Sequence, residues 1–283
     1  MTAEPVVDVV IVNYNAAKHL VECLASVAGD RQHVGEIVVV DNASTDDSPA
    51  VVADHASVRW LEVGANVGFG AAANRGIAAT RAPFVLLLNP DATVRPGAVV
   101  AMLAAMRGPR IGVVGPTVEN TDGTTYPSAR SFPKLGDAVG HAFVGLVSTN
   151  NPWSRRYLAP VRPEWISGTA MLVRRIAFEE VGGFDERYFM YVEDVDLCRR
   201  LAAGGWTVAV AGDAVVRHAI GGSSEAVPYR MIAAHHRSLW RYARRTTNGA
   251  GRLGLPVVGL GIAVRAVAAM AVRVVRNRPP AAH

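Results

Sequence analysis

Lysine is almost missing from this 283-residue chain: only Lys18 and Lys134 occur, and the formal net charge of +5 is carried almost wholly by arginine. Arginine grips phosphate bidentately, where lysine offers only a point charge, although a GC-rich genome gives the same bias. Cysteine is equally scarce. Cys23 and Cys198 each sit among apolar neighbours in a helix-like pattern, which argues against a disulfide-stapled domain and for two buried, reduced thiols. Charged residues make up 19% against 50% hydrophobic, excluding long disorder except at the ends. The chain is long enough for one large domain with an appendage. No apolar leader precedes the first strand, since Met1-Thr2-Ala3-Glu4-Pro5 is polar, so the main domain is expected in the cytoplasm. Acidic side chains are absent from Arg230 to Arg278, a stretch rich in arginine and apolar residues. With no nucleic-acid-binding motif beside it, this asymmetry points away from nucleic acid and towards membrane phosphate.

Strand and helix signals alternate over the first hundred-odd residues. Val6 to Val12, Glu36 to Val40, Val58 to Val63 and Phe84 to Leu88 read as strands. The last is uniformly apolar, as expected for a strand buried on both faces. Ala16 to Val27, a short helix at Ser48 with Pro49 in its first turn, an Ala-rich helix ending at Ala79, and Pro96 to Met106 read as helices. This is a doubly wound, Rossmann-like α/β pattern, in which ligands collect beyond the carboxyl ends of the strands. Asn13, Asp41 and Asp91 all fall at such ends. Between Thr117 and Pro163 the pattern loosens into what reads as an acceptor-side lid. Thr169 to Val173 is a strand, Glu193 to Ala203 a helix stopped by Gly204-Gly205, and Thr207 to Ala211 and Ala214 to Arg217 two short strands. The remainder is helical. Its apolar run, Leu253 to Val264, contains Pro256 and is stopped by Arg265; twelve residues are too few to cross a bilayer. With Arg265, Arg273 and Arg276 on one side, a surface-lying amphipathic segment is expected. Three parts follow: 1–115, a nucleotide-sugar half; 116–228, an acceptor and catalytic half; and 229–283, basic, apolar helices.

Two acidic clusters carry the chemistry. Asn89-Pro90-Asp91 follows the buried strand, where a carboxylate can share a hard cation, Mg²⁺ or Mn²⁺, with substrate phosphates. His218 can add an imidazole to the same cation. Asp41 can accept the imide N–H of uracil or thymine, or simply begin an Asx-turn. Asn66-x-Gly68-x-Gly70-x-x-x-Asn74 would let backbone approach a phosphate or ribose. Glu193-Asp194-Val195-Asp196 opens a helix, where acids are stabilised electrostatically and Asp196 can pair with Arg200. Placed within reach of an acceptor hydroxyl, Asp194, or less readily Glu193, can serve as general base.

These residues, in order, resemble glycosyltransferase family 2. The resemblance rests on Val10-Ile11-Val12-Asn13-Tyr14-Asn15, Val40-Asp41-Asn42-Ala43-Ser44-Thr45-Asp46, the Asn66 to Asn74 loop and Leu88-Asn89-Pro90-Asp91. It continues through Ser167-Gly168-Thr169, Gly183-Phe184-Asp185-Glu186, Glu193-Asp194-Val195-Asp196-Leu197 and His218. It implies a GT-A fold, a nucleotide-sugar donor, a divalent metal and inversion at the anomeric carbon. On this basis Asn13, Asn15, Asp41, Asn66, Gly68, Asn74 and Asn89 are expected to bind the donor. Asp91 and His218 would hold the metal, and Asp194 would be the base, with Glu193 beside it. Trp165, Ser167, Gly168, Arg237, Arg241 and Arg244 would meet the acceptor. Many members carry an acid where Asn89 stands, so its loss shifts metal binding onto Asp91, His218 and the substrate. The detail is similar to the rhamnosyltransferase branch, implying dTDP-L-rhamnose, a polyprenyl-diphosphate-linked sugar acceptor in cell-wall linker synthesis, and the cytoplasmic face of the inner membrane. UDP-galactofuranose or hexose donors fit the same residues. A nucleotidyltransferase would want a basic Gly-rich loop where Asn13-Tyr14-Asn15 stands. A non-catalytic sugar-nucleotide-binding protein would be expected to lack Asp91 or Asp194.

Overall fold

The structure is a computed structural model that describes residues 7–133, 162–219 and 228–276. Strands β1 (Val7–Asn13), β2 (Val34–Asp41), β3 (Val58–Glu62) and β4 (Phe84–Leu88) pair all-parallel in the order β3-β2-β1-β4. Every residue of β1 is buried, and the strand's alternate side chains feed two cores. Val7, Val9 and Ile11 face one core, with α1 (Ala17–Val27) and α4 (Ala98–Ala105); Val10 and Val12 face the other, with α3 (Phe69–Ala78). A second short helix, α2, spans Ser48–Ala53. Asp30, itself buried, accepts hydrogen bonds from the Gly97 and Val99 N–H groups (2.8 and 3.0 Å). That satisfies the orphan donors at the start of α4, which therefore begins after Gly97 rather than at Pro96.

Beyond β4 the sheet reverses. Taken in chain order, β5 is Ala92–Val94, β6 Ile111–Asn120, β7 Thr125–Tyr126, β8 Ala129–Arg130, β9 Trp165–Ile166, β10 Ala170–Arg174 and β11 Thr207–His218. β10 lies antiparallel between β4 and β6, and β11 runs parallel to β6 and antiparallel to β5. The nine-stranded sheet is thus mixed: its parallel half carries the doubly wound pattern, and the rest combines the long β6 and β11 with the shorter β5, β7 and β10. Strand β6 crosses residue 115, so the sheet continues through the boundary expected between the first two parts. The two short strands expected after Gly205 are one, β11, with an irregularity between Ala211 and Val215. The described start of the expected lid contains β6, β7 and β8, the last paired with β9 in a separate ribbon; residues 134–161 lie outside the described residues.

After β10 come α5 (Arg175–Glu180) and α6 (Glu193–Ala203), then the C-terminal extension, α7 (Pro228–Thr246) and α8 (Leu255–Arg276). Tyr242 of α7 packs with Tyr188 and Val195, tying the extension to the segment before α6. Here one expectation is overturned. Arg265 does not stop the apolar helix, which continues to Arg276, so Gly249–Val274 is long and apolar enough to cross a membrane by length and composition. A single long basic side chain does not end a helix, because its stem lies along the apolar surface while its head reaches outward.

Candidate active site

The residues expected to bind the donor gather first at the carboxyl ends of β1 and β2. Asn13, fully buried, donates its amide N–H to Asp41 Oδ1 (3.4 Å) and Ser44 Oγ (3.0 Å). Both Asp41 oxygens accept the Ser44 N–H, at 3.2 and 3.1 Å, so this carboxylate does make the Asx-type turn. Asn15, at φ 51°, donates its N–H to Ser44 Oγ (2.9 Å) and accepts the Thr45 N–H at Oδ1 (2.7 Å). Loops 13–15 and 41–45 are therefore one stitched surface. Asn13 Oδ1 is buried with no hydrogen-bond partner among the described residues, an acceptor that is costly to leave unfilled.

Asn42, absent from the expected site, donates to Asn66 Oδ1 (3.2 Å) and Gly68 O (3.3 Å) and accepts the Val67 N–H (2.9 Å). It pins the glycine loop. Gly68 has φ 90°, and a Cβ there would stand 2.1 Å from Phe189 O, which also accepts the Phe69 N–H at 3.0 Å. The close approach that demands glycine here is to the protein's own 188–191 segment, a correction to the expected approach to phosphate. Asn74 needs a similar correction. Its amide donates to Phe184 O (3.0 Å) and Glu186 Oε1 (3.1 Å), and its carbonyl accepts the Phe184 N–H (2.9 Å). It staples α3 to the aromatic segment, and both of its N–H groups are spent there.

At the end of β4, Asn89 donates its backbone N–H to Thr169 O (2.9 Å). Asp91 Oδ1 lies 3.1 Å from His218 Nε2, brought there because β11 sets His218 opposite Ala92. Among the described residues no group of three or more His, Cys, Asp or Glu side chains forms a metal cage. The pair nevertheless suits a shared hard cation. Adjacent octahedral ligands of Mg²⁺ stand ~2.9 Å apart, and such ions take their remaining oxygens from phosphate and water. His218 Nδ1 is buried without a partner among the described residues.

The opposite side is the start of α6. Asp194 accepts the Gly168 N–H at Oδ2 (3.0 Å) and the Val195 N–H at Oδ1 (2.8 Å). Burial outweighs these bonds and the nearby Arg130 charge, so its pKa lies above the ordinary carboxylate range. Glu193 is almost fully buried and its Oε2 has no partner among the described residues. Burial, then the charge of Asp194, pushes its pKa up to about 8. Asp196 has a scaffold role: it holds Arg200 Nε at 2.7 Å and accepts from Tyr188 Oη at 3.4 Å.

The Glu193 shift fixes a stability prediction. Its folded pKa exceeds the ordinary 4.5, so between about 4.5 and 8 the folded protein binds the extra proton and stability declines as pH rises. Glu193→Gln carries no such charge. Its Tm relative to wild type should rise between pH 5 and pH 8 in thermal melts; a constant difference would refute the shift.

Two connections join the acidic clusters. Through the sheet, Leu88 pairs with Ala170, Asn89 bonds Thr169, and Gly168 bonds Asp194. Around the rim, the Tyr126 ring lies edge-on to His218 (6.2 Å between centroids). Arg130 stacks over both Tyr126 and Trp165 (5.6 and 5.4 Å), and its charge reaches Asp194. Tyr126, Arg130 and Trp165 thus form a rim running from the Asp91–His218 pair towards Asp194. The Trp165 indole N–H in this rim is spent on Ser131 O (2.9 Å), and Ser167 Oγ pairs with Thr169 Oγ1 (3.1 Å). Arg237, Arg241 and Arg244 are on α7. Arg241 stacks over Tyr188 and Arg244 over Trp240, while Arg237 is exposed. Tyr126 and Arg130 escaped the sequence reading because two-residue strands leave no periodicity.

A mixed sheet with a nucleotide-sized bed at the ends of its parallel strands, and an acid on either side, is a glycosyltransferase architecture. The family described as glycosyl transferase family 2 matches residues 8–182, and the chain belongs to it. The chain is 42% identical, over 83% of its length and 83% of the relative's, to the N-acetylglucosaminyl-diphospho-decaprenol L-rhamnosyltransferase of Mycobacterium tuberculosis. It is 27% identical to the rhamnosyltransferase WbbL of Escherichia coli, covering 70% of this chain and 78% of that one. Among solved structures, the mannosyltransferase PcManGT of Pyrobaculum calidifontis, in complex with GDP-Man and Mn²⁺, superposes with a TM-score of 0.60 at 18% identity, covering 99% of this chain and 78% of that one.

Proposed function

We propose that the protein transfers L-rhamnose from dTDP-β-L-rhamnose to a polyprenyl-diphosphate-linked N-acetylglucosamine, with inversion, in cell-wall linker synthesis. The observation carrying this reading is the 42% identity, over 83% of both chains, to an enzyme named for rhamnosyl transfer to such a lipid. Asp41 and the unpartnered Asn13 Oδ1 form the bed for the thymine base. A divalent cation, Mg²⁺ or Mn²⁺, held by Asp91 and His218 would neutralise the departing diphosphate, so that the leaving group needs no acid. Asp194 takes the proton of the acceptor hydroxyl as that oxygen attacks the anomeric carbon, and the bond to dTDP breaks in the same displacement. A raised pKa suits this residue to proton transfer.

The test is nucleotide release from a donor panel, with a short polyprenyl-diphosphate-GlcNAc analogue and metal. Turnover with dTDP-rhamnose alone is expected. Selective turnover of UDP-galactofuranose or a UDP-hexose would overturn the donor while leaving the chemistry.

The same reading places the protein at the cytoplasmic surface of the inner membrane. Leu253, Val257, Leu260, Val264 and Val267 recur every three or four residues and are all exposed, forming one apolar stripe through α8. Arginines of α7 precede it in the chain with no acidic residue nearby in sequence, a combination suited to anionic lipid. Arg237→Glu with Arg244→Glu should lower recovery in the membrane fraction severalfold at low salt; unchanged recovery would remove the arginines from the contact.

A further inference from the structure

The turn that delivers the catalytic helix is strained, and its restraints come from the C-terminal extension. Tyr191 and Val192 have φ of 65° and 71°, two successive left-handed residues without a glycine. For β-branched Val192, the N-cap of α6, this conformation is a true outlier, and such residues persist only where their surroundings over-determine them. Glu193 and Asp194 follow directly, so the direction of the proposed base is set by this turn. On one side Phe189 O is held by the Phe69 N–H. On the other, α7 lies over the segment. Buried Ser238 donates its hydroxyl to Met190 O (2.9 Å), and the His235 ring rests on Tyr191 with centroids 5.0 Å apart. Arg230 stacks over Phe189 and Arg241 over Tyr188. Arg245 bonds Asp185 and lies 3.5 Å from Asp196.

We propose that Ser238 and His235 of α7 are positioning residues for transfer, holding the Tyr191-Val192 turn in its left-handed form so that Asp194 faces the acceptor. Neither residue reaches the donor bed. Their loss should therefore allow the turn to relax towards ordinary backbone angles and misdirect the base while nucleotide binding persists. The proposal also gives the extension a task inside the domain, because the helix bearing the arginines is the one that fixes the base. It rests on the assignment of Asp194 as base.

Steady-state kinetics of the full chain with dTDP-rhamnose and the lipid analogue test it. Ser238→Ala should lower kcat about tenfold with the donor KM within about twofold. His235→Ala should act similarly, and His235→Phe, which keeps a ring on Tyr191, should recover most of the rate. Val192→Gly in the Ser238→Ala background should restore kcat, since glycine adopts this backbone without penalty and no longer needs the restraint. A melting temperature unchanged in Ser238→Ala separates positioning from a general loss of fold, which glycine at a left-handed position would also offset. Unchanged kcat in Ser238→Ala, or a loss that glycine fails to restore, would overturn the proposal. If Asp194→Asn keeps its turnover, the base assignment fails instead; if it is dead while Ser238→Ala is silent, only the positioning role falls.

Discussion

Replacing Asp91 by Asn is expected to lower kcat by at least about 10³-fold, about 4 kcal/mol of transition-state stabilisation. The size follows from the donor set. Among the described residues the Asp91 side chain pairs with His218 alone, at 3.1 Å, and they supply no cluster of three such ligands. Asn89 brings an amide beside Asp91, and the carboxylate that shares Asp91's pocket, Glu22, comes from a different element, α1. The Asn variant keeps the shape and the turn, including the Ala219 N–H to Asp91 O bond of 2.9 Å, which uses only backbone. Calorimetric titration of Mn²⁺ with dTDP should show weakened binding in Asp91→Asn and, to a lesser degree, in His218→Ala. Undiminished Mn²⁺ affinity with lost turnover would move Asp91 from cation binding to another role.

Asp194→Asn should be comparably damaging, about 10²–10⁴-fold in kcat, the range for removing a positioned general base. The amide can accept the Gly168 and Val195 N–H groups at its oxygen only in part, and it takes no proton. The donor KM should change little, because Asp41 and Asn13 are on the other side of the site. The wild-type pH profile carries a further expectation. The base works deprotonated, and burial raises its pKa, so kcat/KM should fall as pH is lowered through a value above the ordinary carboxylate range. Glu193 keeps its proton up to about pH 8, so it is neutral while Asp194 titrates, and Glu193→Gln should leave that limb nearly in place. An acid limb near pH 4 in the wild type would contradict the buried geometry.

What the sequence displayed most clearly was whatever repeats or is buried. The apolar strands β1, β2 and β4 announce themselves by continuous β-branched or leucine runs, and the positions of Asn13, Asp41 and Asp91 follow from where those runs end. Asp194 was legible because acids cluster at a helix start. Less was visible where a residue's partner lies far along the chain. Asn74 and Gly68 look like ligand-loop residues, yet they are explained by Phe184 and Phe189, more than a hundred residues away. Arg130 belongs to a strand of two residues, too short for any period, and gains its place from pairing with Trp165. The left-handed turn at Tyr191-Val192 carries no glycine or asparagine to advertise it. The continuation of α8 was hidden by Arg265, which interrupts its longest apolar run.

The ribbon of β8 and β9 has a consequence for how such enzymes diversify. Ala129 faces Ile166 and Arg130 faces Trp165, and the Glu164 N–H returns to Arg130 O at 2.8 Å. The intervening chain therefore departs and comes back through a single doorway whose posts are already fastened to each other. Insertions, deletions or wholesale exchange within that stretch leave the spacing of the two acids untouched, because that spacing belongs to β4 and β10.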